Sequence, residues 1–251
     1  MIKTKNQKDI EKMRISGKIL AGVFDIMKEN IKPGVSTKYL DKLAHDHILK
    51  HDAKPSFLGY SGFPGSICTS IDSIVVHGIP SETDILQEGQ IIGIDVGVQY
   101  KGLHTDAART FAVGKISAEK QKLIDITEQS FFEGLKGIKA GSRIGDIGGR
   151  IQTYVEKHGF SVVRDLVGHG VGHNLHEDPA VPNYGLIGSG QKIPSNCTLA
   201  IEPMVNMGTP NVRFDGMWNV ETADRMPSAH YENTILITDE GIEILTKQED
   251  N

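Results

Sequence analysis

Apolar residues return every three or four positions across residues 9–30, with Ile10, Met13, Gly17, Leu20, Phe24 and Met27 on one stripe. That spacing predicts an amphipathic helix, ended by Lys32-Pro33-Gly34. Ser36 or Thr37 is placed to cap a second helix running to about His51, carried by Leu40, Leu43, Ala44 and Ile48. Residues 55–64 form a loop rich in glycine and aromatic side chains. Residues 66–76 alternate as a strand or hairpin and lead into Val76-His77-Gly78-Ile79-Pro80. Residues 91–98, rich in Ile and Val, read as a buried strand. Lys101-Gly102 reads as a tight turn, and residues 103–113 as the returning strand.

Each strand of this hairpin carries an aspartate where a core strand disfavours one, Asp95 and Asp106. A hairpin with an even number of loop residues pairs positions whose numbers add to an odd value. Asp95 and Asp106 meet that condition, so they share a face as direct or diagonal neighbours, with β-carbons about 4.5–8 Å apart. Two carboxylates among apolar neighbours repel and lose hydration, and a divalent cation relieves both costs. A turn-proximal pair facing water fits the hairpin alone equally well.

After Val113-Gly114 the pattern begins again. Residues 117–136 predict a helix with Leu123, Ile126, Ser130, Phe131 and Leu135 inward. Residues 138–160 then repeat residues 31–53 at an offset of 107, pairing Ile31 with Ile138, Lys32 with Lys139, Gly34 with Gly141 and Leu40 with Ile147. Ile48 with Val155, Lys50 with Lys157 and His51 with His158 continue the match. Residues 198–205 follow the pattern of 91–98, with Glu202 near the place of Asp95. Residues 230–237 follow the return strand, with Glu232 in the place of Asp106. The expectation is one catalytic domain over residues 1–251, built from pseudo-repeat halves of about 1–115 and 116–251. Set face to face, the halves bring four carboxylates to one centre.

Composition narrows the picture. A chain of 251 residues, 38% hydrophobic and 24% charged, suits a soluble globular protein. The net charge of −5 argues against a nucleic-acid or anionic-membrane surface. No apolar run approaches the ~20 residues of a membrane span, and the N-terminus lacks the apolar core of a signal peptide. Cys68 and Cys197, only two and without a CxxC, argue against a disulfide framework or cysteine zinc site. A cytoplasmic protein is the simplest reading.

Four carboxylates need cations to share a buried site, and two divalent ions would balance them. Asp95, Asp106, Glu202 and Glu232 are hard oxygen donors, suited to Mn, Fe(II), Co or Zn when mixed with imidazole. The imidazole is expected from VGHGVGHNLH (residues 167–176), where glycines at 168, 170 and 172 hold His169 on an irregular segment. His173 and His176 follow it. Bland readings stand beside these: Glu202 as an edge residue, Glu232 as a solvated strand end, His77 as a turn histidine. A phosphate loop at GHGVG is disfavoured, since it lacks the GxGxxG spacing and the P-loop lysine.

The motifs Lys32-Pro-Gly-Val-Ser-Thr, Val76-His-Gly-Ile-Pro, Ile94-Asp-Val with Thr105-Asp, Gly168-His-Gly-Val-Gly with His176-Glu-Asp-Pro, Ile201-Glu-Pro-Met-Val-Asn and Tyr231-Glu resemble the type I methionine aminopeptidases. These belong to the pita-bread metallopeptidases, and the resemblance spans essentially the whole chain. It implies an α+β pita-bread fold with a curved antiparallel sheet covered by helices. It further implies that Asp95 chelates one metal, His169 and Glu202 bind the other, and Asp106 and Glu232 bridge the two. The two ions (Co, Mn, Fe(II), Zn or Ni) would activate a water. Glu202 would shuttle its proton, His176 would stabilise the oxyanion and His77 would contact the scissile amide or the residue after it. A methionine pocket lined by Tyr60, Phe63, Cys68, Leu175 and Trp218, with Phe57 and Ser61 nearby, is implied as well. Ser61, Gly97, Leu175 and Asn233 depart from the residues commonest in the family, which bears on pocket shape and on the tuning of the ligands.

The implied activity is co-translational removal of the initiator methionine, preferring a small second residue. Its substrates would be the N-terminal Met peptides of nascent chains near the ribosome, met by a monomer with no nucleic-acid or membrane contact. The alternatives are an Xaa-Pro dipeptidase or aminopeptidase of the same fold and a non-catalytic peptide-binding relative. The former usually carry an additional N-terminal domain, whereas this chain begins about 90 residues before Asp95. Type II methionine enzymes insert a helical subdomain between the two glutamates, and Glu202 and Glu232 are too close for one. Non-catalytic relatives are expected to lose ligands, and all five are present here.

Overall fold

Asn6 opens the first helix by accepting a hydrogen bond from the Asp9 amide, and the apolar stripe then runs unbroken along α1 (Gln7–Asn30). Ser36 caps α2 (Thr37–Lys50) in the same way through the Tyr39 amide. The computed structural model describes residues 2–248, so Met1 and residues 249–251 of the expected domain lie outside the described residues. After α2 come β1 (Lys54–Pro55), a 3-10 turn at Tyr60–Gly62, β2 (Ile67–Ile71), β3 (Ile74–Val76), β4 (Ile91–Tyr100) and β5 (Leu103–Ala112). β4 pairs with β5 along one edge, and with β2 (against Ile92–Val96) and β1 (against Val98–Gln99) along the other.

The β4–β5 register joins Tyr100 to Leu103, leaving the two-residue turn Lys101-Gly102. Both turn residues have positive φ, 46° and 83°, the geometry whose twist suits a hairpin. Asp95 pairs with Ala108 and Asp106 with Gly97, so the two aspartates are diagonal neighbours on one face. The opposite face of β4 presents Ile92, Ile94, Val96 and Val98, which pack with Leu20, Phe24, Leu40 and Ile48 of α1 and α2. Alternation along one strand thus separates an apolar face for the helices from an acidic face.

The second half begins with α3 (Ala118–Leu135), capped by Ser117, and α4 (Ile144–Lys157). It continues through β6 (Ser161–Val162), β7 (Gly168–Gly170), β8 (Glu177–Val181), β9 (Cys197–Ile201) and β10 (Met204–Asn206). Then come β11 (Val212–Asp215), β12 (Asn219–Thr222), β13 (Ser228–His230), β14 (Asn233–Ile237) and β15 (Ile242–Ile244). The sheet order is β15-β14-β9-β7-β8, all antiparallel, as in the first half. Phe131, Ile147, Ile151, Leu199, Ile201, Ile235 and Ile237 form its core.

Two features differ from the expectation of continuous strands over 198–205 and 230–237. β9 stops at Ile201 and β10 starts at Met204, with Glu202-Pro203 between. Pro203 has no amide to give a ladder, which breaks the strand there. β13 and β14 are likewise separated by Tyr231-Glu232. In that gap Glu232 changes partner: its amide donates to the Ala108 carbonyl at 2.9 Å, and the Ala108 amide donates back at 3.3 Å. The two halves meet along this seam. Thr234 flanks it on one side through Asp106, and Thr110 flanks it on the other through His230.

The β11–β12 hairpin accounts for the longer spacing between the second pair of acids. It pairs with β3, Val220 against Val76, and so carries Trp218 towards His77.

Candidate metal centre and substrate cavity

β4 and β5 supply Asp95 and Asp106 from the first half; the two strand breaks supply Glu202 and Glu232 from the second. Extending the β9–β14 register by one pair sets Glu202 against Glu232. His169 sits at the centre of the short strand β7, opposite Ala200 of β9, rather than on an irregular segment. The glycines do let the backbones close in: a Cβ at Gly168 or Gly170 would strike the Ala200 or Asp178 carbonyl. The register shifts between His169 and Gly170, a bulge that aims the imidazole.

His169 Nδ1 donates to the Gly170 carbonyl at 2.8 Å, which leaves Nε2 with its lone pair. That atom lies 3.6 Å from Glu202 Oε1 and 3.9 Å from Asp106 Oδ2. Two sets of donor atoms each gather within 4.8 Å of one another: Asp106, His169 and Glu232, and Asp95, His230 and Glu232. They share Glu232.

Asp95 Oδ1, Asp106 Oδ1, Glu232 Oε1 and His230 Nε2 are buried with no hydrogen-bond partner. Native proteins rarely leave such atoms unpaired. Burial pushes the Asp95 carboxyl up to about 7, against hydrogen bonds from Asp106 and the Val96 backbone. Burial, with the neighbouring carboxylates, pushes Asp106, Glu202 and Glu232 well above the usual carboxylate range. Burial also lowers His169 to about 4 and His230 to about 3, so both imidazoles are neutral and able to ligate. Orphaned hard oxygens beside unprotonated imidazoles fit a divalent cation.

His230 is the member of this constellation that the expected site set lacks. Its signal was its position two residues before Glu232, which on an extended chain gives both side chains the same face.

A cavity of about 270 Å³ opens on these acids. Phe57, Tyr60, Phe63, Cys68, Leu175 and Trp218 line its apolar side, and His77 and His176 border it with the acids. Cys68 pairs directly with Asp95 across β2 and β4, so pocket and carboxylates share one register. Burial and the surrounding carboxylates raise the Cys68 thiol, which stays protonated and apolar. Trp218 meets Phe63 edge-on with ring centroids 5.2 Å apart. The His176 ring lies 4.2 Å from that of His169, and its Nδ1 is 2.9 Å from the Tyr60 hydroxyl. Burial lowers the pKa of His77 and of His176, keeping both neutral near pH 7. His77 holds φ at 61°, a strained conformation for a non-glycine residue.

Two nearby positions stand apart. Ser61 is exposed, at φ 47°, and does not line the cavity. His173 is half-exposed and lies 3.4 Å from Asp9, away from the acids. The departures at Gly97 and Asn233 have local reasons. A Cβ at Gly97 would come within 2.7 Å of both Phe57 and Ser56. Asn233 Oδ1 accepts from Arg109 Nη2 at 2.7 Å and Thr246 Oγ1 at 2.9 Å, holding the chain beside Glu232.

The model for metallopeptidase family M24 matches residues 11–239. The chain belongs to this family. It is 52% identical over 247 residues to the methionine aminopeptidase of Clostridium perfringens, covering 98% of this chain and 99% of that protein. The solved methionine aminopeptidase of Thermotoga maritima superposes with a TM-score of 0.97 at 42% identity, over 98% of this chain and 100% of that one. An Xaa-Pro dipeptidase of Bacillus anthracis superposes at 0.80 with 23% identity, and this chain covers 63% of it; that likeness is one of fold alone. The architecture is the pita-bread fold, shared with these structures. The family makes the chain a metal-dependent aminopeptidase that uses divalent ions.

Proposed function

We propose that this aminopeptidase removes the initiator methionine from nascent proteins by hydrolysing the first peptide bond, with a small second residue preferred. The observation that carries the reading is an apolar cavity whose wall residue Cys68 is the cross-strand partner of Asp95. A thioether bound there lies beside the acids, with its α-amine and first carbonyl at the cluster. The flexible, polarizable methionine side chain suits a wall of aromatic rings, a thiol and a leucine. Relatives more than 40% identical over nearly the full chain bear the name methionine aminopeptidase, which favours this over the Xaa-Pro alternative.

Asp95, Asp106, His169, Glu202 and Glu232 would hold two divalent ions. Such ions, when bound, supply Lewis-acid polarisation of the carbonyl and lower the pKa of a nucleophilic water. The rest is assigned to side chains. Glu202 would pass a proton from the water to the leaving amine. His176, its Nδ1 engaged with Tyr60, would offer Nε2 to the developing oxyanion. Neutral His77 would donate to or accept from the scissile amide or the residue beyond it. The free α-amine of the substrate would meet the metal–carboxylate cluster, which accounts for cleavage at the chain terminus. Work near the ribosome, as a cytoplasmic monomer, accords with this role, and no helix among the described residues is long and apolar enough to cross a membrane.

The test is hydrolysis of Met-Ala-Ser against Xaa-Pro peptides with added Mn, Co or Fe(II), before and after chelation. Release of methionine that a chelator abolishes is the expected result. Undiminished activity after thorough chelation, or a preference for Xaa-Pro bonds, overturns the reading.

A further inference from the structure

His230 lies at the end of β13, 4% exposed, with its backbone held on both sides. Its amide donates to Thr110 Oγ1 at 2.9 Å, and Thr110 Oγ1 donates to its carbonyl at 3.0 Å. Its Cα partner across β10 is Met204. The ring is therefore delivered from a fixed backbone. Its Nε2 is buried and finds no hydrogen-bond partner. That is an unusual end for a core histidine, since a buried imidazole with no partner forfeits hydration for nothing.

The surroundings of that atom match those of His169. His230 Nε2 lies 3.8 Å from Glu202 Oε2 and 3.9 Å from Glu232 Oε2. His169 Nε2 lies 3.6 and 3.9 Å from its two carboxylate oxygens. These separations are too long for hydrogen bonds. They suit donors that each lie ~2.1 Å from one shared ion. Asp95, His230 and Glu232 form one set of donors and Asp106, His169 and Glu232 the other. Each set contains one imidazole.

We propose that His230 is a sixth metal ligand, presenting Nε2 to the ion on the Asp95 side. This rests on the two-ion reading above. Without His230, Asp95, Asp106 and Glu232 would make that side an all-oxygen site, the kind that Mg and Ca occupy readily. An imidazole turns it into a mixed nitrogen and oxygen site. Such a site favours Fe(II), Co and Zn over Mg, and it gives the two ions more nearly matched affinities.

The experiment loads the metal-free full-length protein, its His230→Ala and His230→Gln variants and His169→Ala with Co(II) under nitrogen. Calorimetry reads stoichiometry and affinity, and X-ray absorption at the cobalt edge counts imidazoles per ion. The unaltered protein should bind two ions with one imidazole for each. Both His230 variants should show one imidazole for every two ions, and in His230→Ala one of the two equivalents should bind ~10–100-fold more weakly. His169→Ala should weaken an equivalent with a different visible absorption spectrum. His230→Gln retains a polar head of similar reach, so it reads the imidazole count if the alanine variant does not fold. Unchanged imidazole counts in the His230 variants overturn the proposal while leaving the two-ion reading intact. An unaltered protein that binds fewer than two ions, or binds them without imidazole, overturns the two-ion reading itself.

Discussion

Asp106 and Thr234 are joined by two hydrogen bonds across the seam between the halves. The Asp106 amide donates to Thr234 Oγ1 at 2.8 Å, and Thr234 Oγ1 donates to the Asp106 carbonyl at 2.9 Å. Both residues are buried, so a single hydroxyl couples the acid of one half to the strand that follows Glu232 in the other. Thr234→Val keeps the shape and leaves a buried donor and a buried acceptor unpaired. A loss of about 2–6 kcal/mol is expected, from ~1–3 per orphaned group. Urea unfolding of the chelated protein measures it. Thr234→Ser should recover most of the loss, and metal affinity should fall only in the valine variant.

His176 touches Tyr60 and packs against the ring of His169, tilted 45° to it, but lies in neither set of donors. His176→Ala should lower kcat on Met-Ala-Ser by ~10²–10³-fold, as removal of an oxyanion donor does elsewhere. Cobalt stoichiometry should remain at the unaltered value. Loss of metal binding in step with activity would instead place His176 among the ligands.

Stability and pH are linked through the acids. Above pH ~7.5, a unit past the ordinary imidazole value, His169 and His230 are neutral in both states, since burial lowers their folded values. The carboxyls behave oppositely: Asp95 titrates at about 7 when folded and three others are raised well above the usual range. In that window the folded chain binds more protons than the unfolded one, so stability falls as pH rises. The chelated protein should therefore melt at progressively lower temperature from pH ~7.5 to ~9. Added Mn or Co should remove the slope, because the cations take the place of the protons. A chelated protein with a flat profile over this range would contradict the electrostatic account.

Gly97 faces the same side of β4 as Asp95, against Phe57 and Ser56. Gly97→Ser inserts a Cβ 2.7 Å from both neighbours, so the 55–64 loop must shift. Overpacking of this kind costs ~1–3 kcal/mol. KM for Met-Ala-Ser should rise more than kcat falls, because Phe57 belongs to the pocket wall and not to the ligands.

Trp218 stands at the junction of pocket and His77, carried there by pairing of β12 with β3. Trp218→Ala should weaken discrimination between methionine and smaller N-terminal residues, read as the ratio of kcat/KM for Met-Ala-Ser over Ala-Ala-Ser. An unchanged ratio would remove Trp218 from the specificity pocket.

Much of this was legible in the residues. The α1 stripe, the Ser36 and Ser117 caps and the even turn at Lys101-Gly102 are local properties, governed by 3.6-residue or two-residue periodicity and by one tight turn. Asp95 and Asp106 share a face because strand parity requires it. His169 was expected on an irregular segment since three glycines in five residues argue against a strand; pairing with β8 and β9 overrides that propensity. The breaks at Glu202-Pro203 and Tyr231-Glu232 were read through as continuous strands, because apolar alternation persists across them. Glu232 leaves its own sheet to pair with Ala108, a partner 124 residues away whose availability no local pattern encodes.

The sequence by itself therefore determined the long helices, the β4–β5 hairpin and the two aspartates on its one face, because periodicity, caps and turn chemistry act over a few residues. Tertiary structure alone decided which acids share which imidazole. That depends on a seam formed by Thr110, Ala108 and Asp106 meeting His230, Glu232 and Thr234. It also decided that His230, which on the chain is one more histidine near a tyrosine, ends with a bare nitrogen among carboxylates. Burial and proximity are properties of the packed halves, and neither exists until they close on each other.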